Sequence, residues 1–268
     1  MMRLVVTGAG GGIGGTVARM ATERFDGAAI ALVDRDEDSL RDTARAVTAG
    51  GGRAVVVPAD LSAVVGPADA VRAAEQELGG IDALFSNAGL GDGGPLRTLD
   101  VESWERIFAV NVRATWLLAK AAYPALVASR GSIVATTSVS ARQPTPPMGA
   151  YSPSKAALLM LVKQLALEWG PDGVRVNAVA PGPTDTGLTF SAFGDTSNEA
   201  AVENRRHRES LIPLRRIGRA EDVAEAVLWL IGSAAAHVTG TEITVDGGVS
   251  QALMPVVGGG SGQGHRPS

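Results

Sequence analysis

The chain has 268 residues, 45% of them hydrophobic and 19% charged, so it is long enough to bury one substantial core but short for two. Lysine plus arginine number 24 and aspartate plus glutamate number 28, and the net charge of −4 argues against a surface built for nucleic acid or for an anionic membrane. The chain contains no cysteine, which excludes disulfides, thiolate metal sites and thiol nucleophiles.

The amino-terminal sequence MMRLVVTGAG has an apolar run far shorter than the ~20 residues of a membrane span. We interpret this run as a buried strand that leads into a glycine-rich segment. A later apolar stretch, 156–167, is interrupted by Lys163 and Gln164 and is typical of an internal helix. We therefore expect a cytoplasmic protein with no membrane partner.

Short β-branched runs alternate with helical patterns, which predicts an α/β fold: one domain over 1–250 with a doubly wound, Rossmann-like parallel sheet of about seven strands and helices on both faces. The expected strands are 4–6, 30–33, 54–57, 83–85, 132–135, 175–178 and 242–245. The expected helices are 13–23, 37–49, 71–78, 101–126, 151–169 and 221–231. In such a sheet, ligands bind at the carboxyl ends of the strands.

Two regions lack a clear pattern. Residues 182–213 contain the basic cluster Arg205, Arg206, His207 and Arg208, for which a solvated helix face is the simplest interpretation. Residues 251–268 are rich in glycine and poor in core residues, which predicts a flexible carboxyl-terminal extension.

The first strand is followed by Thr7-Gly8-Ala9-Gly10-Gly11-Gly12-Ile13-Gly14, which opens the first helix. Small residues at this junction let the backbone approach a pyrophosphate while helix N–H groups face its charge. A glycine run alone could also be a tight turn. Asp34 ends the second strand twenty residues beyond Gly14, where a carboxylate can accept hydrogen bonds from both ribose hydroxyls of an adenosine; the alternative for Asp34 is a helix cap.

A second pattern places Tyr151 and Lys155 four residues apart, hence on one face of a helix. The chain has only 2 tyrosines, so this pairing is rarely met by chance, although a surface contact is the plain alternative. A nearby ammonium favours the phenolate and lowers the pKa of a tyrosine, which would let Tyr151 exchange a proton with an alcohol near neutral pH.

Together these features resemble the short-chain dehydrogenase/reductase family of the glycine-loop and Tyr-x-x-x-Lys type, over about residues 3–250. The landmarks occur in family order: the loop Thr7–Gly14, Asp60-Leu61 after the third strand, Asn87-Ala88-Gly89 after the fourth, then Asn111, Ser138, Tyr151 with Lys155, and Pro181-Gly182. The resemblance implies that Tyr151 is the acid/base, that Lys155 lowers its pKa and binds the nicotinamide ribose, that Ser138 holds the substrate oxygen and that Asn111 anchors a water relay. It also implies cofactor contacts from Gly8, Gly12, Ile13, Gly14, Asp34, Asp60, Leu61, Asn87, Gly89, Tyr151, Lys155, Pro181, Gly182, Thr184 and Thr186.

Several of these assignments have alternatives. Ser140 could replace Ser138 or line the pocket, because residues two apart in a strand point the same way. Asn111 could pin helix backbone, Asp60 could cap the following helix, and Asn87 could chiefly tie the central strands together. The segment from Pro181 to Thr186 could be no more than a proline-rich turn.

The cofactor expected from Asp34 is NAD, because the phosphate of NADP would meet a like charge there. Arg35 could pair with that phosphate, but as the next residue of a strand end it is expected to point the other way. No metal site is expected. Leu188, Phe190 and Phe193 are expected to cover the substrate, or else to close the core.

These observations lead to a hydride transfer between NAD(H) and a secondary alcohol or ketone. Two alternatives stay open: an NADP-dependent reductase of 3-oxoacyl thioesters or other carbonyls, and a catalytically silent nucleotide-binding regulatory protein. The expected partners are a small alcohol or ketone substrate and further copies of the chain, as a homodimer or homotetramer. The apolar residues that suggest this assembly are Trp116, Leu117, Leu118, Leu158, Leu159, Met160 and Leu161.

Overall fold

The structure is a computed structural model that describes residues 1–91 and 94–252. Its strands are β1 (Arg3–Thr7), β2 (Ala29–Asp34), β3 (Arg53–Pro58), β4 (Ala83–Ser86), β5 (Ser132–Thr136), β6 (Arg175–Pro181) and β7 (Glu242–Val245). They form one parallel sheet in the order β3-β2-β1-β4-β5-β6-β7. The chain moves outward in one direction from β1 to β3 and in the other from β4 to β7, so a crevice opens between the ends of β1 and β4.

The helices are α1 (Gly12–Arg24), α2 (Glu37–Ala49), α3 (Gly66–Leu78), α4 (Val101–Phe108), α5 (Ala114–Ser129), α6 (Tyr151–Trp169), α7 (Glu199–Leu211) and α8 (Ala220–Ile231). Buried side chains of α1, α2 and α8 form a core with one face of the sheet. Those of α3, α5 and α6 form a second core with the other face. The predicted fold class, a doubly wound parallel sheet of seven strands, is therefore confirmed.

The predicted strands and helices are present with changes at their ends, the largest at α3, which begins at Gly66 instead of at residue 71. Two regions differ further. The predicted helix 101–126 is broken by a π-helical turn, Ala109–Arg113, which separates α4 from α5. Apolar periodicity does not reveal this break, because residues on both sides of it are good helix formers.

The second difference is α7, which lies inside the segment 182–213 that has no clear pattern. Asn198 caps this helix by accepting hydrogen bonds from the backbone N–H groups of Ala200 and Ala201. Only Ala201 of the helix is buried, so no apolar stripe marks it in the sequence.

The carboxyl-terminal extension predicted for 251–268 lies outside the described residues, except for Gln251 and the buried Ala252. Across the described part of the chain, none of the helices combines the length and apolar character needed to traverse a bilayer.

Candidate active site

The glycine loop lies at the crevice between β1 and β4. Gly8 and Gly12 have φ angles of 65° and 53°, the left-handed region that favours glycine. A Cβ on Gly14 would lie 2.1 Å from the carbonyl oxygen of Gly8, so any side chain there would collide with the loop. α1 begins at Gly12 with no side-chain cap, which leaves its first N–H groups available to an anion.

The carboxylate of Asp34 lies beside this loop. It accepts hydrogen bonds from the backbone N–H groups of Arg35 at 2.7 Å and Gly10 at 3.2 Å. The cap of α2 is Asp36, which accepts from the N–H groups of Asp38 and Ser39, so the helix-cap alternative for Asp34 is wrong.

Asp34 lines a cavity of about 250 Å³ together with Arg35, Asp60 and Leu61. The expectation that Arg35 points away from this site is not met. Asp60 accepts hydrogen bonds from the backbone and hydroxyl of Ser62, which lower the pKa of its carboxyl. α3 begins later, at Gly66, without a side-chain cap, so Asp60 does not cap it.

Asn87 ties three strand ends together. Its amide nitrogen donates to the carbonyl oxygen of Thr7 at 3.2 Å, and its amide oxygen accepts from the hydroxyl of Thr136 at 3.0 Å. These bonds hold β1, β4 and β5 in register while Asn87 also lines the cavity beside the glycine loop. The two interpretations of this residue therefore coexist.

Asn111 is buried in the π-helical turn. Its amide oxygen accepts from the backbone N–H of Leu90 at 2.8 Å, and its amide nitrogen donates to the carbonyl of Leu90 at 2.9 Å and to the hydroxyl of Ser154 at 3.0 Å. The side chain thus pins the segment after β4 to the start of α6. These bonds go to loop backbone and to a side-chain hydroxyl, so Asn111 has a structural role, but not the pinning of helix backbone that the alternative describes.

Ser138 follows β5 and begins a 3-10 turn, Val139–Ala141, rather than continuing the strand. Ser138 lines the main cavity, whereas Ser140 does not and instead hydrogen-bonds the hydroxyl of Thr145 at 2.7 Å. The strand geometry that would make Ser140 a competitor is therefore absent.

Tyr151 and Lys155 occupy the first turn and a half of α6. The ammonium of Lys155 lies 5.7 Å from the centre of the Tyr151 ring and donates to the carbonyl oxygen of Thr136 at 2.7 Å. Lys155 is buried, and burial lowers its pKa to about 8.

Part of Tyr151 remains accessible in the cavity, but its phenol oxygen is closely surrounded, and this burial raises its pKa. The nearby hydroxyl of Ser138 opposes the rise. Burial therefore dominates, and the lowering of the Tyr151 pKa by Lys155 that the family resemblance implies is not seen in the protein alone.

Gly89 leaves room for two of these groups. A Cβ on Gly89 would lie 3.3 Å from the ammonium of Lys155 and 3.4 Å from the amide oxygen of Asn111. Both side chains therefore approach the backbone of the segment after β4 from the same side.

The segment after β6 closes the cavity on the side of the glycine loop. Gly182 approaches Asp246 so closely that a Cβ would lie 2.6 Å from the Cβ of that residue. The side chain of Thr186 is about 3.5 Å from where a Cβ on Gly12 would be. Thr184 is buried, and its hydroxyl donates to the carbonyl oxygen of Gly182.

Sequence reasoning missed Thr189, which shapes this segment. Its hydroxyl donates to the carbonyl oxygen of Thr184 at 2.6 Å and accepts from the backbone N–H of Thr186 at 3.1 Å. Thr189 lies three residues after Thr186 and five after Thr184, and this spacing is the one hint in the sequence. The spacing does not reveal its role, because its partners are backbone groups.

The main cavity measures about 340 Å³. It brings together residues from all these elements: Gly8, Gly12, Ile13, Asp34, Asn87, Gly89, Ser138, Tyr151, Lys155, Pro181, Gly182, Thr184, Thr186 and Thr189. It shares Gly8, Asp34, Ala88 and Gly89 with the smaller cavity at Asp60 and Leu61, so the two form one extended site. Gly14 and Asn111 support this site from behind. A dinucleotide fits this layout, with a glycine cradle for phosphates, a carboxylate on one side and an acid/base group on the other.

Phe193 belongs to a small separate core rather than to the cavity. It is buried with Ile212 and Ile217, and Val249 packs against them. Phe193 therefore fits the alternative that these apolar residues close a core. The side chains of Leu188 and Phe190, the other two residues expected to cover the substrate, lie outside the described part of the structure.

The family model described as "Enoyl-(Acyl carrier protein) reductase" matches residues 8–250. A relative, 2-(S)-hydroxypropyl-CoM dehydrogenase 3 of Xanthobacter autotrophicus, is 38% identical over 250 residues, which cover 92% of this chain and 96% of the relative. The chain belongs to the short-chain dehydrogenase/reductase family. It is an oxidoreductase with a site for a nicotinamide cofactor, NAD or NADP.

Further members of this family support the same conclusion. The 3beta-hydroxysteroid dehydrogenase 1 of Eggerthella lenta is 36% identical over 252 residues, 92% of this chain and 93% of the relative. A putative short-chain alcohol dehydrogenase from Sinorhizobium meliloti has a similar structure, with a TM-score of 0.87, 32% identity and coverage of 94% and 97% of the two chains. A short-chain dehydrogenase from Burkholderia cenocepacia, solved with NADP, has a TM-score of 0.83, 32% identity and coverage of 92% and 97%.

Proposed function

We propose that this short-chain dehydrogenase/reductase transfers a hydride between a secondary alcohol and NAD, or between NADH and a ketone, with Tyr151 as the acid/base. The observation that carries the proposal is the meeting, in one cavity, of Ser138, Tyr151 and Lys155 with the glycine loop and Asp34. These elements lie apart in the sequence and are joined only by the fold.

When bound, the nicotinamide ring accepts a hydride from the carbinol carbon or returns one to a carbonyl carbon. In the oxidation, the hydroxyl of Ser138 would hydrogen-bond the substrate oxygen, and Tyr151 in its phenolate form would take the hydroxyl proton and become the neutral phenol as the carbonyl forms. Lys155, an ammonium below its pKa of about 8, stabilises the negative phenolate and holds the nicotinamide ribose. Asn111 holds the start of α6 through its hydrogen bond to Ser154, and in the proposed mechanism it would anchor a water relay.

The proposed cofactor contacts follow the cavity wall. Gly8, Gly12 and Ile13 would cradle the pyrophosphate, with Gly14 close behind them. Asp60 and Leu61 would border the adenine, the backbone at Asn87 and Gly89 would pack on the cofactor, and the segment with Pro181, Gly182, Thr184 and Thr186 would hold the nicotinamide carboxamide.

NAD is favoured by Asp34, whose carboxylate can accept ribose hydroxyls and repels a phosphate at the same place. The NADP alternative is supported by Arg35, which lines the same cavity, and by the NADP in the Burkholderia structure. We expect kcat/KM for NAD to exceed that for NADP by about tenfold or more, because a charge repulsion and two hydrogen bonds distinguish them. Equal values, or a preference for NADP, would overturn the role of Asp34 as the selector.

The substrate class is tested by turnover. The relatives' names include hydroxypropyl-CoM and a hydroxysteroid as substrates. The screen therefore includes linear, alicyclic and steroid secondary alcohols, their ketones and a 3-oxoacyl thioester, each with both cofactors. We expect oxidation of a secondary alcohol with NAD. Activity confined to the thioester with NADPH supports the reductase alternative, and dinucleotide binding without turnover of any of these supports the silent regulatory protein.

The proposed assembly is a homodimer or homotetramer through the face formed by α4, α5 and α6. Trp116 and Met160 are 45% and 63% exposed there, and a groove of about 510 Å³ runs past Trp104, Phe108 and Trp116. Leu118, Leu158 and Leu159, also expected to suggest assembly, are instead buried in the core. Light scattering of the wild type should give a molar mass at least twice that of one chain, and the Trp116→Glu variant should have a lower molar mass. A wild type that is monomeric at all concentrations would contradict the proposal.

The proposed location is the cytoplasm, where the reaction has access to the dinucleotide pool. Fractionation of the source cells tests it.

A further inference from the structure

The basic cluster of α7 is not one surface but three separate arrangements. Arg206 pairs with Glu203 on the exposed side of the helix. Arg208 stacks over the ring of Phe193 at 5.3 Å and donates to Asn204 at 3.1 Å. Arg205 alone among the described residues of the cluster reaches across to the segment that lines the main cavity.

The contacts of Arg205 define a charged link. Its Nη1 lies 2.7 Å from the carboxylate of Asp185, and its Nε lies 3.1 Å from Glu209, one helical turn further along α7. The Arg205 and Asp185 side chains are 31% and 39% exposed, so the pair is partly shielded from solvent. Partial shielding makes such a pair stronger than one on the open surface.

Asp185 stands between Thr184 and Thr186, the two threonines of the proposed carboxamide site. Its backbone N–H donates to the carbonyl of Gly218 at 2.8 Å, and the N–H of Gly218 donates to Pro183 at 2.9 Å. The backbone at Asp185 is therefore fixed on one side by Gly218, and its side chain is fixed on the other by Arg205. A shift of α7 would therefore be transmitted to the Thr184–Thr186 segment through the Arg205–Asp185 ion pair.

The rest of α7 packs mainly on the short turn Phe190–Gly194, which includes Phe193 of the small separate core. The amide nitrogen of Asn204 donates to the carbonyl of Ala192 in that turn at 2.8 Å. α7 and this turn form one unit, and the Arg205–Asp185 pair joins the unit to the cofactor side of the cavity.

We propose that Arg205 is a positioning residue: through Asp185 it holds the Thr184–Thr186 segment, and with it the α7 unit, in the arrangement that binds the dinucleotide. Arg205 touches no reacting atom, so it acts on binding rather than on the proton transfer. This inference rests on the proposed function, since it assigns the cofactor to that segment.

The test measures the Kd of NADH by fluorescence titration, which needs no substrate. We expect Arg205→Gln and Asp185→Asn each to raise this Kd about two- to fivefold, the range of one partly shielded ion pair, and the double variant to be no worse than either single variant. Arg206→Gln is the matched control, because it removes the same charge from the same helix without contacting the segment. Its Kd should equal that of the wild type.

Two further measurements separate positioning from simple stabilisation. Raising salt from about 0.05 to 0.5 M should weaken NADH binding more in the wild type than in Arg205→Gln, since the pair is already absent from the variant. With a substrate in hand, Arg205→Gln should raise the KM for NAD while kcat stays within about threefold of the wild type.

Equal Kd values for Arg205→Gln and Arg206→Gln would overturn the inference, as would a lower Tm of Arg205→Gln with an unchanged Kd. If the wild-type protein binds neither NADH nor NADPH, the proposed function is wrong, whatever the role of Arg205. The two failures are therefore distinguishable.

Discussion

Helices α6 and α7 both connect to the candidate active site, but they are attached to the protein in different ways. α6 buries seven of its residues, including Lys155, and its Leu158 and Val162 belong to the large core on one face of the sheet. α7 buries only Ala201, and its link to the cavity wall is the ion pair of Arg205. The groups assigned to the chemistry thus lie on a helix that packing holds in place, whereas the helix that an ion pair joins to the cavity wall buries a single residue.

The chemical role of α6 is tested at Tyr151, because the hydroxyl of this residue carries the proton that is transferred in the proposed mechanism. We expect Tyr151→Phe to lower kcat at least about 100-fold, the loss typical of a deleted general acid/base, and to leave the Kd of NADH within severalfold. The matched control is Tyr123→Phe, which also removes a phenol hydroxyl. That hydroxyl donates to Asp172, and neither residue lines the main cavity. A Tyr151→Phe enzyme with more than about a tenth of the wild-type rate would contradict the mechanism.

Because α6 packs on a large core and α7 on a small one, truncating a buried side chain should lower the free energy of unfolding by different amounts in the two regions. Leu158→Ala should reduce the free energy of unfolding by about 3 kcal/mol, because Leu158 is fully enclosed in a large core. Phe193→Ala should reduce it by less than about 1 kcal/mol, since its small core can open while the sheet stays folded.

Urea denaturation measures both values, and hydrogen exchange should show faster opening over 190–211 in the Phe193→Ala protein alone. A loss for Phe193→Ala as large as that for Leu158→Ala would mean that α7 and the sheet unfold as one unit.

The buried ammonium of α6 also has a cost. The pKa of Lys155 is about 8 in the folded protein and near 10.5 when unfolded, so below about pH 8 its burial opposes folding by up to about 3 kcal/mol. Between these pKa values the unfolded chain binds more protons, and this group's contribution to stability therefore rises with pH.

We expect Lys155→Met to unfold at higher urea than the wild type near pH 7, with a gain of about 2 kcal/mol after the lost hydrogen bond to Thr136 is allowed for. The gain should fall close to zero by about pH 9.5, as the wild-type lysine loses its proton. Cofactor-free protein is used, because a bound ribose would change the pKa. A gain that does not vary with pH would show that the lysine is not the group responsible.

The same contrast explains what the sequence could and could not predict. α6 was predictable because Tyr151 and Lys155 stand at helical spacing directly before an apolar run. α7 was not, because a helix that faces solvent on nearly all sides carries no periodic signal. The hydrogen bonds of Lys155 to the Thr136 carbonyl and of Thr189 to the backbone were equally hidden, since they depend on main-chain groups brought close by the fold. Ser138 lines the cavity as predicted, whereas Ser140, also expected to line it, does not, because the chain forms a 3-10 turn where strand geometry was expected.

The π-helical turn has a consequence for the outer surface as well as for the buried Asn111. In an uninterrupted α-helix, Trp104 and Trp116 are twelve residues apart and would point about 120° away from each other around the axis. A π turn accommodates about one additional residue and cancels about 100° of that rotation. Trp104, Phe108, Val112 and Trp116 consequently line one straight groove on α4 and α5. A single inserted residue thereby sets the phase of two surfaces at once, turning an amide inward and aligning a row of aromatic side chains outward.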